Sequence, residues 1–244
     1  MEEIIKIERV KKRFGDKVVH REINLTVHKG EVLTLMGGSG TGKSVLLRSL
    51  IGLDRPDGGS IFFHDDDILK FDEDDLLPIR KRIAYVFQYG ALFDSFTVFE
   101  NLAYPLREHT NMGEAAIRKK VLATLERVGL RGNENLFPSE MSGGMQRRVG
   151  VARSIVMDPE VILYDEPTSG LDPFNTRQIV LMIEQLKSQG TTSILVTHDM
   201  PTIFRVSDRI AFLREGRIDT LGTRKEIQQS EDPDLVGFIN GEKM

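Results

Sequence analysis

The most informative pattern in this 244-residue chain is a set of short apolar runs that stop abruptly on chemically active residues. The run 31-EVLTLMG-37 leads into a glycine-rich loop, and 161-VILYD-165 ends on a carboxylate pair. A histidine follows 193-SILVT-197, and a glutamine follows 83-IAYVF-87. Such uniformly apolar runs predict strands buried on both faces of a sheet. Two others, 4-IIKIERV-10 and 23-INLTV-27, alternate apolar and polar positions as half-buried strands do. Between them lie helical periods. The segment 45-VLLRSLIGL-53 reads as a helix opened by the glycine loop, and 72-DEDDLLPIRKR-82 as a short helix capped by Asp72. Helical patterns then dominate 97-TVFENLAYPL-106, 114-EAAIRKKVLATLERVGL-130 and 142-SGGMQRRVGVARSIVMD-158. In the last of these, Met145, Val149, Ala152 and Val156 share one face. The helix over 173–189 has Pro173 in its first turn and Gly190 at its end. Strands alternating with helices predict an α/β protein with a mostly parallel core sheet. We read one domain over residues 1–244, with a core formed by 1–88 and 159–244 and an inserted α-helical subdomain at 89–158. No internal repeat or low-complexity segment interrupts it.

Composition narrows the function classes. With 40% hydrophobic and 29% charged residues the chain is ordinary for a globular protein, and its net charge of −4 supplies no field for a nucleic-acid partner. Basic runs such as Arg80-Lys81-Arg82 and acidic ones such as Asp72–Asp75 read as solvated faces. The acidic runs lack the alternating ligand spacing of a calcium loop. With no cysteine there is no disulfide, zinc-thiolate site or cysteine nucleophile, which fits a reducing compartment. No apolar run approaches the ~18 residues of a membrane span, and the charged start MEEIIKIERVKKRF is not a signal peptide. These features predict a soluble, cytoplasmic protein that a partner would bring to any membrane.

The glycine loop Gly37-Gly38-Ser39-Gly40-Thr41-Gly42-Lys43-Ser44 matches the phosphate-loop pattern in full, between a strand and a helix. Its glycines let backbone N–H groups turn inward around phosphates. Lys43 adds a point charge, Ser44 a magnesium ligand, and the helix its positive end. At the end of 161-VILYD-165, Asp165 and Glu166 form an adjacent acidic pair, which an apolar strand carries only at a desolvation cost. In a nucleotide site Asp165 would hold the metal shell and Glu166 would take the proton of the attacking water. His198 taken alone reads as structural; at the carboxyl edge of the same sheet it becomes a γ-phosphate contact. Gln88 shares that edge, where an amide can orient water or metal. Phe14 reads either as core or as a ring stacked on a purine. A second serine-glycine helix start, Ser142-Gly143-Gly144, is a further anion cradle.

In this order these elements resemble the ATP-binding cassette ATPase of ABC transporters over essentially the whole chain. Phe14 matches the adenine stacker, Gly37–Ser44 the Walker A loop, Gln88 the Q-loop and Ser142-Gly143-Gly144 the signature. Asp165-Glu166 matches Walker B, Ser169-Gly170-Leu171-Asp172 the D-loop, and His198 the switch histidine. The resemblance implies a P-loop NTPase fold with an N-terminal antiparallel β subdomain, and ATP with Mg²⁺ as cofactors. Lys43, Gln88, Glu166 and His198 would be catalytic, and Ser44, Gln88 and Asp165 would hold the metal. Phe14, Gly37–Ser44, Ser142, Gly143, Gly144 and Asp172 would bind nucleotide. It also implies a head-to-tail dimer of two copies, with Ser142 and Gly144 touching the γ-phosphate held by the opposite chain. Met141 and Met145 depart from the commonest signature, Leu-Ser-Gly-Gly-Gln, and Met145 offers no polar contact in the fifth place.

The stretches GALFDSFTVFENLAYPLRE, MSGGMQRR and YDEPTSGLDP resemble cassettes of Mla/Mce-type lipid transport systems. That resemblance implies integral membrane permease subunits, an Mce-domain lipid-binding protein, room for a small accessory subunit, and phospholipid or another hydrophobic substrate. It places the chain peripherally on the cytoplasmic side of the inner membrane. Phe87, Phe93, Phe96 and Phe99 read as core of the helical subdomain, a share of them lining a groove for a permease helix. The tail 233-PDLVGFINGEKM-244 reads as docked on its own domain, with a contact to the second cassette or an accessory subunit as the alternative. The alternatives are a cassette of another importer or exporter, a soluble cassette acting on ribosomes or DNA, and a phosphate-loop kinase. The kinase would leave the signature and D-loop unexplained.

Overall fold

The structure is a computed structural model that describes residues 2–242. Its first element is a hairpin much longer than the alternation at 4–10 and 23–27 announces: β1 (Glu3–Phe14) pairs antiparallel with β2 (Lys17–His28). Gly15, at φ +56°, makes the reversal possible. Ile5, Ile7 and Val10 face the core, while Lys6 and Lys11 face solvent. The hairpin's length carries Phe14 to its exposed tip. After β3 (Val32–Met36) and α1 (Lys43–Ser49), β4 (Gly58–Phe63) and β5 (Asp66–Asp67) complete an antiparallel sheet of order β2-β1-β4-β5. The helix expected at 45–53 starts two residues earlier, so Lys43 stands in its first turn.

Helix α2 (Glu73–Arg82) is capped as expected: Asp72 accepts from the Asp74 and Asp75 amides, and Asp75 completes a capping box. Acidic residues in its first turn and Arg80, Lys81 and Arg82 in its last complement the helix dipole. Then come β6 (Ile83–Val86), α3 (Val98–His109), α4 (Glu114–Arg127) and α5 (Gly143–Ile155). The α/β alternation resumes with β7 (Val161–Asp165), α6 (Pro173–Ser188), β8 (Thr192–Val196) and α7 (Met200–Val206). The chain closes with β9 (Arg209–Arg214), β10 (Arg217–Thr223), α8 (Arg224–Gln228) and α9 (Pro233–Asn240).

The second sheet has the order β10-β9-β3-β8-β7-β6. All of its neighbours pair in parallel except β10 with β9. Every residue of β3 and β8 is buried, which explains their unbroken apolar character. Between this sheet and the antiparallel one, Ile5, Ile7, Leu35, Leu47, Leu163 and Val196 form one core cluster. Between the sheet and α3–α5, Leu102, Val121, Val149, Ala152, Tyr164 and Ile183 form another.

Asn101 organises the loop that precedes α3. Its side chain is fully buried, its amide nitrogen reaches the carbonyls of Phe93 (3.1 Å), Phe96 (3.1 Å) and Thr97 (3.0 Å), and its Oδ1 accepts from the Phe93 amide (2.9 Å). The loop's aromatic residues thus hang on one amide. Asn101→Leu leaves these buried groups unpaired, so it should lower stability by about 3 kcal/mol in urea unfolding.

At the C-terminus, Leu235 is buried with Met36, Ile203 and Phe212, and the Phe238 ring lies 5.3 Å from that of Phe212. Asp234 pairs with Arg214. The tail segment 233–242 packs on its own domain; the last two residues of the expected 233–244 tail, Lys243 and Met244, lie outside the described residues.

Candidate active site

Parallel register sets the site. Leu35 of β3 stands opposite Val196 of β8, Asp165 of β7 opposite the same Val196, and Val86 of β6 opposite Tyr164. The carboxyl ends of four neighbouring strands therefore share one edge, where open α/β sheets bind ligands. The residues just past those ends are the glycine loop, His198, Glu166 and Gln88. They line a cleft of about 620 Å³ together with Phe14, Lys17 and Val19 from the hairpin.

The glycines of the loop are required by close packing. A Cβ at Gly37 would meet the Leu213 carbonyl oxygen at 2.3 Å, and one at Gly42 (φ +98°) would meet Val19 at 2.4 Å and His20 at 2.7 Å. Lys43 is 8% exposed, and its ammonium donates to the Gly37 and Gly38 carbonyls, both at 2.8 Å. Burial pulls its pKa down, while Glu166 and Asp165 oppose that shift. Thr41 braces the turn by donating to the Gly38 carbonyl at 2.9 Å.

Asp165 lies behind the cleft. Its Oδ1 accepts from the Ser44 hydroxyl and its Oδ2 from the Tyr85 hydroxyl, each at 2.7 Å. Burial, with Asp165 second, pushes the Tyr85 pKa well above the usual phenol range, so Tyr85 remains a donor. Sequence reasoning did not single out Tyr85. Its only signal was a hydroxyl inside an apolar strand. No cluster of three or more His, Cys, Asp or Glu side chains suited to a metal occurs among the described residues. Ser44 and Asp165 are hard oxygen donors that suit a magnesium-sized cation completing its shell with phosphate oxygens and water.

Glu166 occupies the left-handed region at φ +49°, a conformation that costs a non-glycine residue of order 1–3 kcal/mol and clusters at functional sites. Its amide donates to the Val196 carbonyl (2.9 Å), and its own carbonyl accepts from Ser169 (3.2 Å) and from Arg147 (3.4 Å). Arg147 also reaches the Ser169 carbonyl at 3.2 Å. It is 6% exposed, and burial lowers its pKa. The Glu166 carboxylate faces His198, whose Nδ1 is 3.1 Å from Oε1 in hydrogen-bond geometry and 3.0 Å from Oε2. Gln88 donates to the Ser169 hydroxyl at 3.4 Å rather than to a group of the acidic pair. Phe14 is 49% exposed, with the Lys12 ammonium 4.9 Å from its ring centre.

Ser142, Gly143, Gly144 and Asp172 are not among the residues that line this cleft. Ser142 caps α5 by accepting from the Met145 amide (3.3 Å), and both it and Gly143 are exposed. Asp172 caps α6 and also holds Asn175, whose side chain lies where a Cβ on Gly144 would be, 2.2 Å away. Met141 and Met145 pack into the helical core, which explains apolar residues at those two positions.

A phosphate loop, an acidic pair and a histidine gathered on one sheet edge define a P-loop ATPase. A family model described as "ABC transporter" matches residues 20–169. The chain is 40% identical over 240 residues to the "Intermembrane phospholipid transport system ATP-binding protein MlaF" of Haemophilus influenzae, covering 98% of this chain and 91% of that one. It is 42% identical over 241 residues to the "Probable ribonucleotide transport ATP-binding protein mkl" of Mycobacterium tuberculosis, covering 98% and 67%. Among solved structures, the ATP-binding cassette MJ0796, a dimer bound to ADP and Pi, superposes with a TM-score of 0.84 at 31% identity, covering 91% of this chain and 99% of that one. The chain belongs to the ABC transporter family as an ATP-hydrolysing cassette.

Proposed function

We propose that this protein is the ATPase subunit of a membrane transporter for phospholipid or another hydrophobic substrate, and that it works as a head-to-tail pair around two ATP molecules. The observation that carries the pairing is the separation within one chain. Lys43, Glu166 and His198 line one cleft, while the exposed Ser142 and Gly143 open an anion-binding helix end elsewhere on the surface. A second copy would supply its Ser142-Gly143-Gly144 to cap the first copy's cleft. Such a helix end contributes ~0.3–1 kcal/mol to an exposed anion and up to ~2 kcal/mol when partly buried. That is small beside what an arginine finger supplies, so its main effect is to make ATP the adhesive of the interface. Solved relatives of dimeric form support this reading.

Within the cleft, Phe14 stacks on the base, and the backbone amides of Gly37–Ser44 together with Lys43 hold the phosphates. Ser44 and Asp165, with Gln88 at the edge, would hold Mg²⁺, which would neutralise charge on the phosphates. Glu166 accepts the proton of the attacking water. His198 orients Glu166 and faces the γ-phosphate. Asp172 fixes the D-loop against the signature through Asn175.

No helix is long and apolar enough to cross a membrane among the described residues. Transport then depends on permease subunits, and a docking surface is at hand. A groove of about 470 Å³ lies between the core and the helical layer, lined by the aromatic Phe87, Phe93 and Tyr104 and by the cationic Arg80, Lys81 and Arg153. The Phe93 and Tyr104 rings pack edge to face at 5.4 Å and are partly exposed. An aromatic lining interspersed with cations fits a permease helix that carries an acidic residue. The assembly would sit on the cytoplasmic face of the inner membrane, with an Mce-domain protein and a small accessory subunit as further partners.

The two sets of named relatives differ in cargo: phospholipid for MlaF and ribonucleotide for mkl. Coverage of 91% of the former's length against 67% of the latter's favours lipid. Purification of the complex from its native membrane, with mass spectrometry of bound molecules, tests this. Phospholipid is expected, and a bound nucleotide cargo with no lipid would overturn the assignment. Phe93→Asp should reduce recovery of permease with this subunit about tenfold, because it removes an apolar wall of the groove and sets a carboxylate beside Arg153, where the acidic residue of the permease helix would have to pair.

A further inference from the structure

His20 belongs to none of the motifs, yet it is the buried polar group directly beneath the phosphate loop. It sits on β2 and is 1% exposed. Its Nε2 lies 3.0 Å from the Gly42 carbonyl oxygen. A carbonyl can only accept, so Nε2 must carry the hydrogen. Its Nδ1 is buried with no hydrogen-bond partner. A protonated ring would strand a second N–H there, and burial lowers the pKa of this imidazole. The ring is therefore neutral, with its proton fixed on Nε2.

We propose that His20 is a positioning residue for nucleotide binding: by gripping the Gly42 carbonyl from below, it aims the Lys43 backbone N–H into the cleft. The reason is the planarity of the peptide unit. In the trans peptide joining Gly42 to Lys43, the C=O and N–H point in opposite directions, so fixing one fixes the other. Gly42 has no Cβ and sits at φ +98°, which gives this peptide more freedom than any other residue type would allow. Among the described residues the other donor to the same oxygen is the Leu46 amide, at 2.9 Å from α1. Two donors from different elements, one helical and one from β2, hold the carbonyl in a single orientation. The same contact explains glycine at position 42, because any Cβ there would collide with the imidazole that grips it. The hairpin thus does more than present Phe14: four to six residues past its tip it also supports the floor of the phosphate site.

The inference rests on the reading of this cleft as an ATP site. His20→Leu keeps the bulk and removes the donor, and the KM for Mg·ATP should rise about tenfold, the scale of one buried neutral hydrogen bond. His20→Gln presents an N–H at the Nε2 position and should bring KM back to within about threefold of the natural chain. Equal KM values for the leucine and glutamine variants overturn the proposal. Nitrogen-15 NMR of histidine-labelled natural protein supplies a test that needs no variant: the expected signature is a protonated Nε2 and an unprotonated Nδ1, and the reverse tautomer also overturns it. If the natural chain and Lys43→Ala bind Mg·ATP alike, the nucleotide site itself is wrong. If Lys43→Ala loses binding but the histidine variants match the natural chain, only the role of His20 fails.

Discussion

Glu166→Gln should lower ATP turnover by about 10²–10⁴-fold, the range expected when a general base is removed. Glutamine fills the same volume, tolerates the same backbone and can still accept a hydrogen bond from His198, which lies 3.1 Å from Oε1. It cannot take a proton. The carboxylate is well placed for that role because the left-handed turn at φ +49° aims it out of the sheet edge. That turn is held by β8 through the Val196 carbonyl and by α5 through Arg147. Phosphate release measures the rate. Size-exclusion chromatography with light scattering measures the second consequence, a dimer that persists in ATP because hydrolysis no longer opens it. Turnover at the natural rate would show that another group activates the water.

A mixing experiment tests whether each site is built from two chains. Lys43→Ala removes the cation of the phosphate loop. Ser142→Asp retains a good helix N-cap but sets a carboxylate where the opposite chain's γ-phosphate should lie. At ~4 Å and an effective dielectric of about 20, that repulsion is worth about 4 kcal/mol, roughly a thousandfold. Each variant alone should therefore be inactive. In a mixed pair, one composite site carries both lesions and the other carries neither. An equal mixture should recover about a quarter of the natural single-turnover amplitude, since random pairing makes half the dimers mixed and each has one sound site of two. If loop and signature served the same ATP within one chain, mixing would restore nothing.

Much of this protein was legible before its fold. The N-cap at Asp72, the proline start of α6 at Pro173 and the glycine loop before α1 are local features, fixed by residues within a turn of one another. The apolar strands were legible because burial on both faces permits almost nothing else. Less visible was the far half of β1, where the polar stretch Lys11-Lys12-Arg13 lies beyond the alternation at 4–10. Its pairing with β2 continues through those residues all the same, and so delivers Phe14 to the cleft. Elements such as β4, β9 and β10 were not anticipated, because their short or mixed runs gain strand character only from neighbours.

By itself, the sequence determined the chemistry available: a phosphate-binding loop, an acidic pair, a histidine and a second serine-glycine helix start, each encoded by adjacent residues. Only the tertiary structure decided which of these meet. The strand order β3-β8-β7-β6 gathers the loop, His198, Glu166 and Gln88 on one edge, and leaves Ser142 outside their cleft. It also recruited Tyr85, Arg147 and His20, whose partners lie 80, 19 and 22 positions away. The physical reason is that motifs are set by short-range covalent geometry, whereas convergence depends on strand register and burial between residues far apart in the chain.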